Sequence, residues 1–340
     1  MPQLSGTTSV AYVLTLLAVA ERHGAARTSL LQAAGLAAED LHNPLARIAM
    51  RALARLFDAA AVQTGLPHIG LAFGQAVRPA SFSGLGFVAM TCANLGEAIA
   101  LIPRFGRLVF DTGRNEVLVE QDGQQARLGE PPLPPDAAGC VGLDDAVLAG
   151  WVSYGRWICG CDARPLRVEI RHAAPADVRP YTELFGCPVL FGMPANTLIF
   201  SPALLQLPVR DADPHLHRAM LQEAQAQLDR AFAGLSLQHR VRMLLTELLP
   251  QGEGRLEQVA ARLHLAPRTL QRRLASEGTS FSQLLDALRR ELVARYLCDA
   301  QMSLSDIALL LGFAEQSSFS HAFRDWQGCT PQEYRQRHCR

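Results

Sequence analysis

Two stretches of the C-terminal third repeat each other at a fixed spacing, and that repetition limits the chain more than any other feature. Leu256, Val259, Ala260, Leu263 and Leu265 recur 48 residues later as Leu304, Ile307, Ala308, Leu311 and Phe313, and Leu270 and Leu274 recur at 49 as Phe319 and Phe323. The first four positions of each copy fall at i, i+3, i+4 and i+7, one face of an α-helix. The third is alanine both times, small enough for a second helix to cross at close range. A short turn follows, His264-Leu265-Ala266 in one copy and Gly312-Phe313-Ala314 in the other. Gly312 suits a residue with positive φ there, whereas His264 is a costlier occupant of the same position. Pro267 fits the opening position of a second helix, and Gly278 marks its end. Each copy is therefore a helix-turn-helix.

The outer faces of the second helices carry the chemistry. They offer Arg268, Thr269, Gln271, Arg272 and Arg273 in the first copy, and Glu315, Gln316, Ser317, Ser318, Ser320, His321 and Arg324 in the second. Arginine donates two hydrogen bonds to a guanine edge, glutamine pairs with adenine, and hydroxyl or imidazole groups meet bases or phosphates. Between the copies the pattern predicts a long helix over 280–299, opened by a capping box from Ser280 to Gln283. Its apolar stripe is Phe281, Leu284, Leu285, Leu288, Leu292 and Tyr296. Twenty residues span about 30 Å, close to the ~34 Å repeat of B-DNA. A rigid spacer of that length sets two recognition helices about one turn apart on duplex DNA.

Taken together, these motifs resemble the DNA-binding domain of the AraC/XylS family of bacterial transcription regulators. The resemblance runs from Leu256 through Pro267-Arg268-Thr269-Leu270, Ser303 to Ala308, Leu311-Gly312-Phe313 and Ser318 to Arg324. It ends at Gly328 to Arg335, where Thr330 and Glu333 form another capping box. It implies base-reading roles for Arg268, Gln271 and Arg272 on the first recognition helix and for Ser317 and His321 on the second, with Arg324 nearer the backbone. With their neighbours Thr269, Gln316 and Ser318, these are the candidate DNA contacts. Two residues depart from the family pattern. Ala266 stands where many relatives have a serine cap. His321 stands where many have arginine, and a neutral imidazole lacks both the fork and the charge.

The formal net charge of zero hides an asymmetry, because residues 255–340 carry 12 Arg against 9 acidic residues. That is a modest excess for a nucleic-acid binder, so specific base contacts must supply the rest. The longest apolar segment, 10–20, is about half of what a crossing helix needs, and the first residues lack the basic start of a signal peptide. A cytoplasmic protein with no membrane partner is expected. Eight cysteines are too sparse for a disulfide scaffold. Cys159 and Cys161, with Cys187 and His172, leave a second reading open, a redox- or stress-sensing DNA-binding regulator without a small-molecule ligand. Some proteins carrying this DNA-binding domain are alkylation-repair methyltransferases, but the Cys-His-Arg signature is missing here. With no other catalytic motif, no enzyme, metal site or cofactor is expected.

The fold class expected is α+β, a mixed α/β N-terminal domain followed by an all-α C-terminal domain with two helix-turn-helix units joined by a long helix. Residues 1–205 form the effector-sensing domain, 206–254 a helical connector and linker, and 255–340 the DNA-binding domain. Residues 10–74 read as helical. Strands are expected at 85–90, 107–110, 116–121, 166–171 and 197–200, and helices at 95–104 and 144–159. Residues 130–136 read as a surface loop and 250–254 as the interdomain linker. The segment 171–201 is similar to part of the sensory domain of regulators of the ornithine-utilisation type, which implies effector sensing by a mixed α/β domain and does not imply sugar binding. Arg104, Arg107, Asp111, Trp151, Tyr154, Trp157 and Arg171 are candidates for a pocket taking a small anion or amino acid, with the alternative that the aromatics belong to the core and the arginines to the surface. The expected partners are double-stranded DNA at two adjacent major-groove segments, RNA polymerase, an unknown small-molecule effector and a second copy of the chain. The resemblance to the family implies activation rather than repression.

Overall fold

Glycines 70 and 74 lie one helical turn apart, and a pair so spaced lets two helices approach backbone to backbone. The computed structural model describes residues 6–112, 118–121, 124–130, 133–134, 137–232, 236–249, 252–298, 302–313 and 315–338. The chain divides into two units, Met1–Ala233 and Gly234–Arg340. Helices of the first are α1 (Val10–Arg22), α2 (Arg27–Ala34), α3 (Met50–Thr64), α4 (Ile69–Ala76), α5 (Ser83–Ala89), α6 (Leu95–Ala100), α7 (Ile102–Phe105), α8 (Val141–Cys159), α9 (Arg179–Phe185) and α10 (Pro214–Phe232). The glycines of α4 face α8, where a Cβ at Gly70 would stand 2.2 Å from the Gly142 carbonyl oxygen and one at Gly74 2.3 Å from the Ala149 Cβ.

Two sheets complete this unit. Strands β1 (Thr7–Ser9), β2 (Arg47–Ala49) and β3 (Phe110–Asp111) form an antiparallel sheet in the order β2-β1-β3. Strands β4 (Leu118–Gln121), β5 (Ala126–Gly129), β6 (Arg167–Glu169), β7 (Val189–Leu190) and β8 (Thr197–Phe200) form a second, in the order β4-β5-β8-β6-β7. Its pairs are antiparallel except for the parallel pair of β6 with β7. The mixed α/β character expected from the sequence is present. Two strand expectations are corrected. Residues 85–90 belong to helix α5 and its cap, because an apolar run of six carries no periodicity that separates a buried strand from a buried helix. Residues 107–110 are mostly a 3-10 turn, Gly106–Leu108, leading into β3. Glu116 and parts of 130–136 and 250–254 lie outside the described residues, and the expected surface loop at 130–136 is corrected for its described residues, since Leu133, Pro134 and the Glu130 side chain are buried.

The segment 206–254 is shared between the units. In α10, Ala224 is 1% exposed and faces Gly84 of α5, and Phe232 lies under the guanidinium groups of Arg47 and Arg107 at 5.9 and 4.8 Å. The second unit begins with α11 (Leu237–Leu248), whose Val241, Leu245 and Leu248 are buried with α12 (Leu256–Arg262), α13 (Pro267–Ser276), α14 (Phe281–Cys298), α15 (Leu304–Leu310), α16 (Gln316–Gln327) and α17 (Pro331–His338). Among its described residues this unit has only helices and the turns between them. Its core holds ten of the fourteen apolar positions of the repeat, with Ala260 and Ala308 at 0% and 2% exposure, and Leu256, Leu265, Leu304 and Phe313 pack half-buried against it. Among the described residues no helix is long and apolar enough to cross a membrane.

Candidate nucleic-acid interface

The repeated pattern folds as two helix-turn-helix units, α12–α13 and α15–α16. His264 has φ +54° and Gly312 φ +68°, so both turns bend through the left-handed region at the same place. The capping boxes are present as well. Ser280 N donates to Gln283 Oε1 at 2.8 Å and Gln283 N to Ser280 Oγ at 3.2 Å. Thr330 N donates to Glu333 Oε2 at 2.8 Å, and Glu333 N to Thr330 Oγ1 at 3.2 Å. A third, not read from the sequence, opens α15, where Asp306 N donates to Ser303 Oγ at 3.1 Å and Ser303 Oγ to Asp306 Oδ2 at 2.6 Å.

Burial of Leu270 and Leu274 turns the opposite face of α13 outward, and Phe319 and Phe323 do the same for α16. Arg268, Gln271, Arg272 and Arg273 are exposed, and Thr269 is half-buried. On α16, Gln316, Ser317, Ser318, His321 and Arg324 are exposed. Arg268, Arg272 and Arg324 form no ion pair with another described residue, so their donors face solvent. Gln316 is partly engaged, accepting a hydrogen bond from Ser305 Oγ at 2.8 Å. Ala314, the last turn residue of the second copy, lies outside the described residues.

Two arginines tie together the elements around the second helix-turn-helix. Arg289 donates from Nε to the Leu311 carbonyl at 2.8 Å and from Nη2 to that of Gly312 at 3.0 Å, and lies 4.1 Å from the Phe313 ring centroid. Arg335 donates to the Leu297 and Met302 carbonyls, both at 2.8 Å. Beside the first helix-turn-helix, the Glu277 carboxylate after α13 accepts from the backbone N–H groups of Leu237 and Gln238 at 2.9 and 3.0 Å, meeting the unpaired donors that open α11. Sequence reasoning missed these three side chains, because each acts on backbone groups between about 20 and 40 residues away. At 1.5 Å per residue α14 spans about 27 Å.

Comparison with known proteins agrees with this geometry. Residues 24–209 match the model described as the arabinose-binding domain of AraC transcription regulator, N-term, and residues 259–337 match that of a helix-turn-helix domain. The chain is 34% identical over 331 residues to the ornithine utilization regulator of Pseudomonas aeruginosa, covering 96% of each. The chain belongs to the AraC family of transcription regulators. It is also 31% identical over 304 residues to the regulator VirS of Mycobacterium tuberculosis, covering 86% of each. The crystal structure of the transcriptional regulator CdpR from Pseudomonas aeruginosa shares 23% identity at a TM-score of 0.42, covering 91% of this chain and 96% of that one.

In this AraC-family regulator the arginines among the candidate pocket residues are engaged with other protein groups. Arg107 pairs with Asp111 at 2.9 Å, Arg104 donates to Gln225 Oε1 at 2.6 Å, and Trp157 stacks on Tyr154 beneath Arg210. Arg171 belongs to a buried network instead. Its Nη2 lies 3.4 Å from Asp144 Oδ1 and 3.9 Å from Glu130 Oε2, and Asn196 donates to Glu130 at 2.7 Å. Beside it Asp145 accepts from Tyr181 Oη at 2.7 Å and meets His172 Nε2 at 3.0 Å. Only Trp151 and Tyr154 of the seven candidates line a common cavity. The redox reading gains no support, since burial pushes the Cys159 thiol up to about 11, away from the thiolate a sensor needs. The ring nitrogens of His172 are occupied by Asp145 and the Ala173 carbonyl.

The network makes stability depend on pH. Burial, then the neighbouring Asp144, pushes the Glu130 carboxyl up to about 8. Burial opposes the charge on His172, but its bond to Asp145 leaves the imidazole above its ordinary value. Both groups hold protons in the folded state that the unfolded chain releases. Stability therefore falls as pH rises from about 5 to 8. Glu130→Gln, which mimics the protonated acid, is expected to remove at least about 1 kcal/mol of that fall. Thermal unfolding of the full chain at pH 5, 6.5 and 8 measures it, and an unchanged slope in the variant would mean that Glu130 is already ionised when folded.

Proposed function

We propose that this regulator binds specific DNA by placing α13 and α16 in successive major-groove segments, under control of a small molecule received by the N-terminal unit. The single observation that carries the reading is the pair of exposed polar helix faces, free of ion pairs with other described residues at Arg268, Arg272 and Arg324, on two units of matching backbone. Arg268, Gln271 and Arg272 read bases from α13. Ser317 and His321 read them from α16, and Thr269, Gln316, Ser318 and Arg324 meet phosphates or flanking edges. The match of residues 24–209 to an arabinose-binding domain, and the name of the ornithine utilization regulator, support effector control. Activation through RNA polymerase, pairing of two copies and a cytoplasmic location belong to the same reading on the resemblance to the family.

Fluorescence anisotropy on DNA from upstream of the chain's own gene and its neighbours, against random DNA at two salt concentrations, tests it. Tighter binding to one fragment that survives the higher salt is the expected result, and no binding to any DNA would overturn the reading. On the fragment found, Arg272→Ala is expected to cost about 1–3 kcal/mol and to relax preference at one base pair. Equal losses on specific and random DNA would make Arg272 a phosphate contact instead.

A further inference from the structure

The N-terminal unit contains a cavity of about 130 Å³ between α5, α6, α7 and α8 and the five-stranded sheet. Its walls include Leu85, Ile99, Ile102, Leu128, Val152 and Leu198. The titratable side chains among its lining residues are already employed. Tyr154 donates its hydroxyl to the Gly86 carbonyl at 2.6 Å. Arg156 donates to the carbonyls of Ala163, Leu184 and Phe185 at 2.8, 2.6 and 3.0 Å and pairs with Asp162 at 3.3 Å. A sugar placed here would leave most of its hydroxyls without partners, and an amino acid would bring two charges into an apolar chamber. An apolar molecule loses nothing on entry. The volume is near that of an engineered ~150 Å³ apolar cavity in another protein that stays dry and binds benzene.

We propose that this cavity binds a small, uncharged, apolar molecule, aromatic or short aliphatic, of about six to ten carbon atoms. The proposal names the chemical class of the effector and rests on the reading of the N-terminal unit as an effector receiver. It sets the site apart from the polar ligands that the names arabinose and ornithine bring to mind. Trp151 in the wall provides an optical signal. Gly155 in α8 also lines the cavity, and a Cβ there would meet nothing nearer than Leu95 Cδ1 at 3.7 Å. A leucine at that position fills the space from a helix interior where it is a better helix former than glycine, so Gly155→Leu keeps the fold and removes the cavity.

The full-length protein is titrated with toluene, 1-hexanol, L-arabinose and L-ornithine, with tryptophan emission and thermal unfolding as readouts. Toluene or 1-hexanol at roughly ten times its Kd is expected to raise Tm by about 2–4 °C and to change the emission. Gly155→Ala is expected to weaken the response, and Gly155→Leu to abolish it. Equal responses in the wild type and both variants, or a response only to the sugar or the amino acid, overturns the proposal. Anisotropy on DNA with and without toluene then separates the two readings. Binding that depends on Gly155 but leaves DNA affinity unchanged sinks effector control through this cavity while the ligand class stands. A DNA response to ornithine or arabinose with toluene inert sinks the ligand class and leaves effector control standing.

Discussion

Gly74→Ala is expected to destabilise the N-terminal unit by about 3 kcal/mol or more, although a glycine-to-alanine change in an exposed helix interior gains about 1 kcal/mol. The sign is set by α8. A Cβ at position 74 would lie 2.3 Å from the Ala149 Cβ, 2.6 Å from the Ala149 carbonyl carbon and 2.8 Å from the Gly150 nitrogen. Two of those atoms are backbone, so no rotamer change relieves the clash, and α4 must move away from the helix against which it is packed. Ile69 and Phe73, at 0% exposure, would move with it. Gly70→Ala should behave alike, since its Cβ would meet the Gly142 carbonyl oxygen at 2.2 Å. Denaturant unfolding of the full chain decides the matter. A midpoint at or above that of the wild type would show that the two helices have room to separate, and the close seam would then carry no stability.

The second large effect is expected at Arg289. Its guanidinium bonds the Leu311 and Gly312 carbonyls at 2.8 and 3.0 Å, and its side chain is only 15% exposed. Hydrogen bonds to charged groups contribute about 1.5–3 kcal/mol each and do not add fully, so Arg289→Ala is expected to cost about 2–4 kcal/mol in the stability of the C-terminal unit. The loss falls on the turn between α15 and α16, which sets the angle at which α16 leaves the core. DNA affinity should then fall at least about tenfold, beyond any change on random DNA, because one of two reading heads is loosened while the other keeps its place. Arg289→Lys should rescue little, since an ammonium cannot span two carbonyls with the planar fork. Full affinity in Arg289→Ala would show that the turn is held by its apolar contacts alone.

The C-terminal half was legible because its signals are local. The apolar face of each hairpin repeats within eight residues, Pro267 opens α13 as its fixed φ allows, and Ser280 with Gln283 closes a box four residues long. The candidate DNA face was legible for the same reason, since residues on one helix face can be assigned from spacing alone. The N-terminal half depends on long-range partners. Strands β1, β2 and β3 have two or three residues each, too short for alternation to register, and β1 pairs with segments about 40 and about 100 positions away. Residues 85–90 are apolar on every side although Phe87 is exposed, while α5 packs against α10 and the turn before it, and an all-apolar run hides its period. The cavity draws its walls from Phe82 to Leu204. Whether the candidate arginines faced a pocket or a partner was open in the sequence, because pairing is decided by the fold.

Because Glu277 secures the start of α11 and α11 supplies Val241, Leu245 and Leu248 to the core beneath α13 and α14, the portable unit of DNA reading is longer than its motif. A gene fusion that splices another sensor immediately ahead of the first helix-turn-helix would leave a carboxylate without its amides and an open apolar trough along the bundle. The recombination point that transplants this reader intact lies upstream of Ser236, and the helix that follows travels with it as part of the cargo.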